Sequence, residues 1–188
     1  MEPGDGPVVR PAGAADAAAV AAVHEAAWRA SLGPLLPPEV LCRLGDGDRR
    51  RKMAALARDP GPDHRMLVAE RDGAVVGFVW FGRRPTELPP YQGQLHSLYV
   101  LPACQRSGVG GRLLREAAAA LHDAGVAGMM LWVLETNGPA RRFYERHGGA
   151  PLEAVRPFEF GGLRYPSHPM TAYGWDRPPG PPAGEGPG

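Results

Sequence analysis

The stretch Gln105-Arg106-Ser107-Gly108-Val109-Gly110-Gly111 is the part of the chain best suited to chemistry. It lies between an apolar segment ending at Leu101 and a strongly amphipathic one starting at Val109. A strand that passes through a glycine-rich loop into a helix presents unpaired backbone N–H groups at the positive end of the helix dipole. Such an end attracts anions, and glycines let the main chain come close to a phosphate. The ligand expected there carries a diphosphate. No Gly-Lys-Ser/Thr follows, so this is not the phosphate loop of nucleotide triphosphatases. The third glycine of the dinucleotide fingerprint is also missing, because Arg112-Leu113 follows, and no acidic residue ends a following strand at the right distance. The glycines taken alone also fit a tight strand-to-helix turn that binds nothing.

The elements that must hold this loop can be read outward from it. Residues 109–124 are predicted as an amphipathic helix, with Val109, Leu113, Leu114, Ala117 and Leu121 along one side. Leu95–Leu101 before the loop is a predicted strand, and the continuous apolar run Gly128–Leu134 is a second, buried one. Pro139–His147 follows as a short helix stopped by Gly148. Upstream, Val8–Arg10 starts a strand, and Asp16 is the expected N-cap of a helix over residues 16–30. Short helices are expected at 38–44 and 48–58, the first opened by Pro38. Arg65–Arg71 and Ala74–Arg83 form a hairpin around Asp72-Gly73, with a Pro-rich loop over 84–92. Two last strands near 152–160 and 163–173 meet at Gly161-Gly162. This order predicts a mixed α/β (α+β) sheet domain over residues 8–173. Residues 1–7 and the Pro/Gly-rich 174–188 are expected to be disordered, having too little apolar bulk to offset ordering entropy.

Bulk composition removes several classes of function. The chain has 188 residues, 44% hydrophobic and 22% charged, as one globular domain would. Its net charge is +1, so no field favours nucleic acid or a membrane surface. Lys52 is the sole lysine among 21 basic residues, a compositional skew that makes arginine counts poor evidence for phosphate binding. Cys42 and Cys104 are too few for a disulfide framework or a zinc site, and no metal is expected. No apolar run approaches the ~20 residues of a membrane span. The expected setting is cytoplasmic.

Gln-x-x-Gly-x-Gly after an apolar strand resembles motif A of the GNAT superfamily of N-acetyltransferases, and Leu98-Tyr99-Val100-Leu101-Pro102 fits that family's fourth strand. Leu131-Trp132-Val133-Leu134-Glu135-Thr136-Asn137, then Ala140, Phe143-Tyr144-Glu145-Arg146 and Gly148, is similar to its motif B. Gly77-Phe78 and Arg10-Pro11-Ala12 also match. Two motifs at the right separation are far more specific than either alone. The resemblance implies the GNAT fold, a central, twisted, mixed but mostly antiparallel sheet of about six to seven strands with helices on both faces. It also implies acetyl-CoA as cosubstrate and an amine as acceptor, with a homodimer as a common assembly.

The same resemblance assigns roles. The CoA diphosphate would sit on the amides of Arg106, Ser107, Gly108, Val109, Gly110 and Gly111. The pantetheine arm would pair like an added strand with the backbone of Leu98, Tyr99 and Val100, so the Tyr99 side chain is free simply to pack. Asn137 would contact the pantetheine arm or acyl end, and it also suits the N-cap of the following helix. Tyr144 matches the family's general acid, a phenol that protonates the departing CoA sulfur. Many relatives carry a Glu at the place of Gln94, which cannot accept a proton at neutral pH. His96 falls on the same side of the strand and has a suitable intrinsic pKa, so it is the candidate general base; ordered water is the other. The family also has a bulky residue where this chain has Gly149, so looser packing behind Tyr144 is expected.

On the acceptor side, His24 and Trp28 share a helix face, with core packing the stronger reading of Trp28. Glu70, Glu87 and Glu135 are the acids that could attract a cationic amine. Cys104 abuts the loop without an adjacent base and is read as a bystander. The function expected is direct transfer of acetyl from acetyl-CoA to a primary amine of a small molecule or peptide. A non-catalytic acyl-CoA-binding or regulatory domain is the alternative that Gln94 favours and that Tyr144 and Asn137 oppose. A nucleotide-dependent switch would need a lysine and an acidic metal ligand beside the loop, and neither is present.

Overall fold

The computed structural model describes residues 6–44, 47–83 and 88–176. Its elements follow the chain as β1 (Val8–Pro11), α1 (Ala17–Ser31), α2 (Pro38–Leu44), α3 (Gly47–Arg58), β2 (His64–Arg71), β3 (Ala74–Arg83), β4 (Gly93–Val100), α4 (Val109–Asp123), β5 (Met129–Leu134), α5 (Gly138–Arg146), β6 (Ala150–Phe160) and β7 (Leu163–Trp175). The strands form one seven-stranded sheet in the order β1-β2-β3-β4-β5-β7-β6. Every neighbouring pair is antiparallel except β4 and β5. The parallel step is the place where α4 crosses over, as a parallel pair requires. The fold is the mixed, mostly antiparallel α/β sheet expected.

The two hairpins form at the dipeptides whose backbone freedom allows them. Asp72 and Gly73 both take positive φ (52° and 73°), and so do Gly161 and Gly162 (59° and 77°). That pairing of two left-handed residues matches the right-handed twist of the flanking strands.

Helices cover both faces of the sheet. On one face α4 buries Val109, Leu113, Leu114, Ala117 and Leu121 against Val79, Phe81, Leu95, Leu131 and Tyr173. On the other, α1 and α3 bury Val20, Val23, Met53 and Ala57 against Met66, Val68 and Phe78. A third cluster joins Trp28, Leu36 and Val40 to Leu134, Phe158 and Phe160, bridging the first helices to the last strands. None of the helices described is long and apolar enough to cross a membrane.

Three local expectations change. Asp16 stands at the N-cap position of α1 as expected, but its side chain bonds no helix amide. Its carboxylate instead accepts from the Gly13 N–H at 2.8 Å and from both Arg10 amino groups at 2.8 and 2.9 Å, closing a short 3-10 turn over Ala14–Asp16. The Arg10 guanidinium holds the Asp16 carboxyl below its usual range. The last strand also runs past residue 173. Gly174 pairs with Met130, and Trp175 pairs with Met129 and is 3% exposed. Finally, Trp175 packs behind Tyr144 in place of the bulky residue missing at 149. Its ring is edge-on to Tyr144 at 5.9 Å, and its Nε1–H donates to the His147 carbonyl at 2.8 Å. The looser packing expected there does not occur.

Candidate functional site

The site begins where the sheet comes apart. Strands β4 and β5 pair only at Gly93↔Met129 and Gln94↔Met130. Beyond those residues they diverge, while β4 stays bonded to β3 as far as Gly77↔Val100. The β5-facing edge of Leu98, Tyr99 and Val100 therefore borders open space rather than a neighbouring strand. That space is a groove of about 1160 Å³, walled by β4 and β5 and reaching the α4 loop at one end and α1 at the other. Such a volume exceeds what a drug-sized ligand needs, which is roughly 300–1,000 Å³.

The loop at one end is braced by side chains. Gln105 Nε2 donates to the Val100 carbonyl at 3.2 Å, and Ser107 Oγ donates to the Cys104 carbonyl at 2.8 Å. Arg106 and Gly108 both have positive φ (59° and 83°), and Gly108 is the N-cap of α4. The Arg112 N–H donates to the Gly108 carbonyl at 3.0 Å and opens the helix ladder. The amides ahead of it have no carbonyl in that ladder to receive them. A β-carbon at Gly108 would meet nothing within 4 Å, whereas one at Gly111 would lie 2.6 Å from His147 Nε2. The glycines thus do different work: Gly108 turns the chain beside open space, and Gly111 admits α5.

Helix α5 lies alongside. Asn137 is its N-cap, with Oδ1 accepting from the Ala140 N–H at 3.2 Å, so the capping role foreseen for it is real; its side chain also borders the groove. Arg141 and Glu145 tie the helix to β7 through the Tyr173 hydroxyl, at 3.2 and 2.7 Å. Tyr144 sits on the groove and packs on Phe143 and Trp175. Burial, reinforced by the neighbouring Tyr99, pushes its phenol well above the ordinary tyrosine range. The hydroxyl therefore keeps its proton at neutral pH.

His96 lies in a β-bulge of β4. Leu95 pairs with Phe81 and Ser97 with Trp80, so His96 is the extra residue between them. Its ring packs at a tilt against Trp80 at 4.4 Å and His64 at 5.0 Å, and it borders the groove. The structure thus brings His96, Leu98, Tyr99, Val100, Asn137 and Tyr144 onto one groove.

The α1 end of the groove is aromatic. Trp28 Nε1–H donates to the Tyr99 hydroxyl at 2.6 Å, and Trp28 also faces Phe160 at 5.3 Å. Burial raises the Tyr99 phenol and drives the His24 imidazole down to about 3, with the Arg49 charge adding to the latter. His24 is therefore neutral. It lies beneath Trp28 and Tyr99, 2% exposed, as packing rather than as wall.

Of the acids expected to draw in an amine, the two that are described do not border the groove. Glu70 takes two bonds from Arg10, at 3.0 and 2.9 Å, and neither it nor Glu135 lines the cavity. Glu87 lies outside the described residues. Sequence reasoning missed Arg49, whose guanidinium lies over Trp28 at 4.7 Å and over Phe160 at 4.8 Å. A signal for it exists: Arg49, Met53 and Ala57 recur at helical spacing, and the latter two are buried.

The chain is similar to known proteins in sequence and in fold. Residues 21–149 match the "Acetyltransferase (GNAT) family". The chain is 36% identical over 138 residues to the probable N-acetyltransferase Rv2775 of Mycobacterium tuberculosis, covering 73% of this chain and 76% of that one. Its fold is similar to that of the PaiA N-acetyltransferase of Thermoplasma acidophilum, solved in complex with coenzyme A (TM-score 0.66, 17% identity, covering 88% of this chain and 97% of that one). It is also similar to yncA of Salmonella typhimurium, a putative acetyltransferase solved with its cofactor acetyl-CoA (TM-score 0.63, 24% identity, covering 90% and 92%). With more than half its length matched, the chain belongs to the acetyltransferase (GNAT) family.

Proposed function

We propose that the protein moves the acetyl group of acetyl-CoA directly to a primary amine, without a covalent enzyme intermediate. Acetyl-CoA as donor follows from the family; the amine acceptor and the residue roles are the proposed part. The observation that carries the reading is the parting of β4 and β5 after Gln94↔Met130. It leaves the backbone of Leu98, Tyr99 and Val100 available to an extended ligand, with an anion-binding loop at one end and a protonated phenol at the side.

In this reading the amides of Arg106 to Gly111 hold the diphosphate, and the helix dipole adds to their field. The pantetheine arm takes the place of a strand beside β4, as extended peptides do at open sheet edges. Asn137 spends its carbonyl on Ala140 and keeps its amide for the arm. The neutral amine attacks the thioester carbonyl carbon; a C–N bond forms and the C–S bond breaks. Tyr144 gives its proton to the departing sulfur, the excess ammonium proton leaves through His96 or through water reaching it, and a proton returned from solvent restores the phenol.

The test is an acceptor screen that follows free CoA thiol while acetylated amine is identified by mass. Release of thiol matched by acetylated product is the expected result. Tight acetyl-CoA binding with no product from a broad panel of primary amines would instead make the protein a binding or regulatory domain.

A further inference from the structure

We propose that the acceptor carries a carboxylate beside its amine, an amino acid with an apolar side chain, and that Arg49 holds that carboxylate at the α1 end of the groove. The inference rests on the amine-transfer reading above and deepens it.

Arg49 is the only basic side chain of its charged run that turns inward. Asp48, Arg50, Arg51 and Lys52 are exposed, while Arg49 is half-buried and borders the groove. Its guanidinium lies over both the Trp28 and the Phe160 ring, at 4.7 and 4.8 Å. One amino group, Nη2, reaches the His24 Nε2 at 3.3 Å; His24 is neutral and accepts. The buried Nε has no hydrogen-bond partner, and no ion pair involves Arg49 among the described residues. Ring faces and one imidazole offset part of the cost of removing a cation from water. They leave part of a planar donor fork unfilled, and that fork is shaped for a carboxylate.

The surroundings suit the same ligand. Glu159 is the acid bordering the groove among the described residues, and it is paired with Arg164 at 3.1 Å. Nothing described at this end would draw in a simple cation. Phe158 and Phe160 offer a stacked apolar wall, ring centroids 6.2 Å apart, for the side chain of the acceptor. Tyr144 and Arg49 border the same groove, and the Tyr99 hydroxyl on its wall is bonded to Trp28, the ring that Arg49 lies over. One small molecule in that groove can present its amine toward Tyr144 and its carboxylate to Arg49.

Paired probes test this. Phenylalanine and leucine are compared with phenethylamine and isoamylamine, which lack only the carboxylate, by kcat/KM with acetyl-CoA. In parallel, N-acetyl-phenylalanine and N-acetyl-phenethylamine are titrated into the CoA-bound protein, which needs no turnover. The expected result is a preference for the carboxylated member of each pair that falls about 10- to 100-fold in Arg49→Gln, mostly through KM, and less in Arg49→Lys. A wild-type protein that uses and binds both members alike overturns the proposal, even if no variant folds. So does a preference that Arg49→Gln leaves intact. Arg49-dependent binding of N-acetyl-phenylalanine without turnover of any amine would uphold the anion site and sink acetyl transfer. Turnover of phenethylamine with no binding of the carboxylated probe would do the reverse.

Discussion

The indole of Trp175 occupies the space that a side chain on Gly149 would need: a β-carbon there would lie 2.5 Å from the indole Cζ2. The end of β7 thereby supports Tyr144 from behind, and the two positions act as one packing unit. Gly149→Ala should lower stability by about 1–3 kcal/mol, because a rigid ring must move. Urea unfolding measures this, and an unchanged midpoint would show that the ring yields freely. Turnover should fall with it, since Tyr144 packs on the same ring.

Tyr144→Phe keeps the ring contacts with Phe143 and Trp175 and removes only the proton. Turnover should drop about 10²- to 10⁴-fold, the usual worth of a positioned general acid. Acetyl-CoA affinity, measured by titration, should stay nearly intact. Undiminished turnover would take the general-acid role away from Tyr144.

A base must be deprotonated to work, so activity carried by a histidine base falls in acid. His96→Ala should therefore abolish the acidic limb of the kcat/KM profile as well as lower its plateau. A limb that persists unchanged in the variant assigns the proton to water or to the acceptor itself.

The loop and α5 were legible because their determinants are local. Glycine spacing, Asn137 before Pro139 and the apolar stripe of α4 each act within a few residues of themselves. The hairpin turns at Asp72-Gly73 and Gly161-Gly162 were readable for the same reason. Features set by long-range packing were not. Nothing near residue 94 announces that pairing with β5 stops there, since that depends on residues 129–134 far along the chain. Asp16 looked like a cap because the carboxylate is in the right place, but Arg10 and Gly13 claim it. Arg49 sits in a run that looks like a solvated helix face; its spacing from Met53 and Ala57 points it inward, but the Trp28 and Phe160 rings that receive it come from elsewhere in the chain. The substitute for a missing side chain at 149 comes from Trp175, which strand patterning placed beyond the domain's end.

His24 makes stability depend on pH in a definite window. Its folded-state pKa is about 3 against an ordinary 6.5, so the unfolded chain binds the extra proton between those values. Its contribution is fully present above pH 6.5 and is lost progressively as pH falls toward 3. The slope from one such proton approaches about 1.4 kcal/mol per pH unit. His24→Gln should flatten the decline in unfolding free energy across that window, and an identical pH dependence in both proteins would refute it.

The two residue pairs that join β4 to β5 make the middle of the sheet its weakest seam. Each half, β1–β4 and β5–β7, is laddered within itself, and little main-chain bonding ties one to the other. A donor arm lodged there acts as mortar. Backbone amides of Leu98 to Val100 should then exchange hydrogen more slowly, and the whole domain should melt higher, when the donor is bound. With the donor placed there as proposed, rigidity would be partly on loan from the cosubstrate: every release of free CoA would return the two halves to a looser partnership until the next donor arrives.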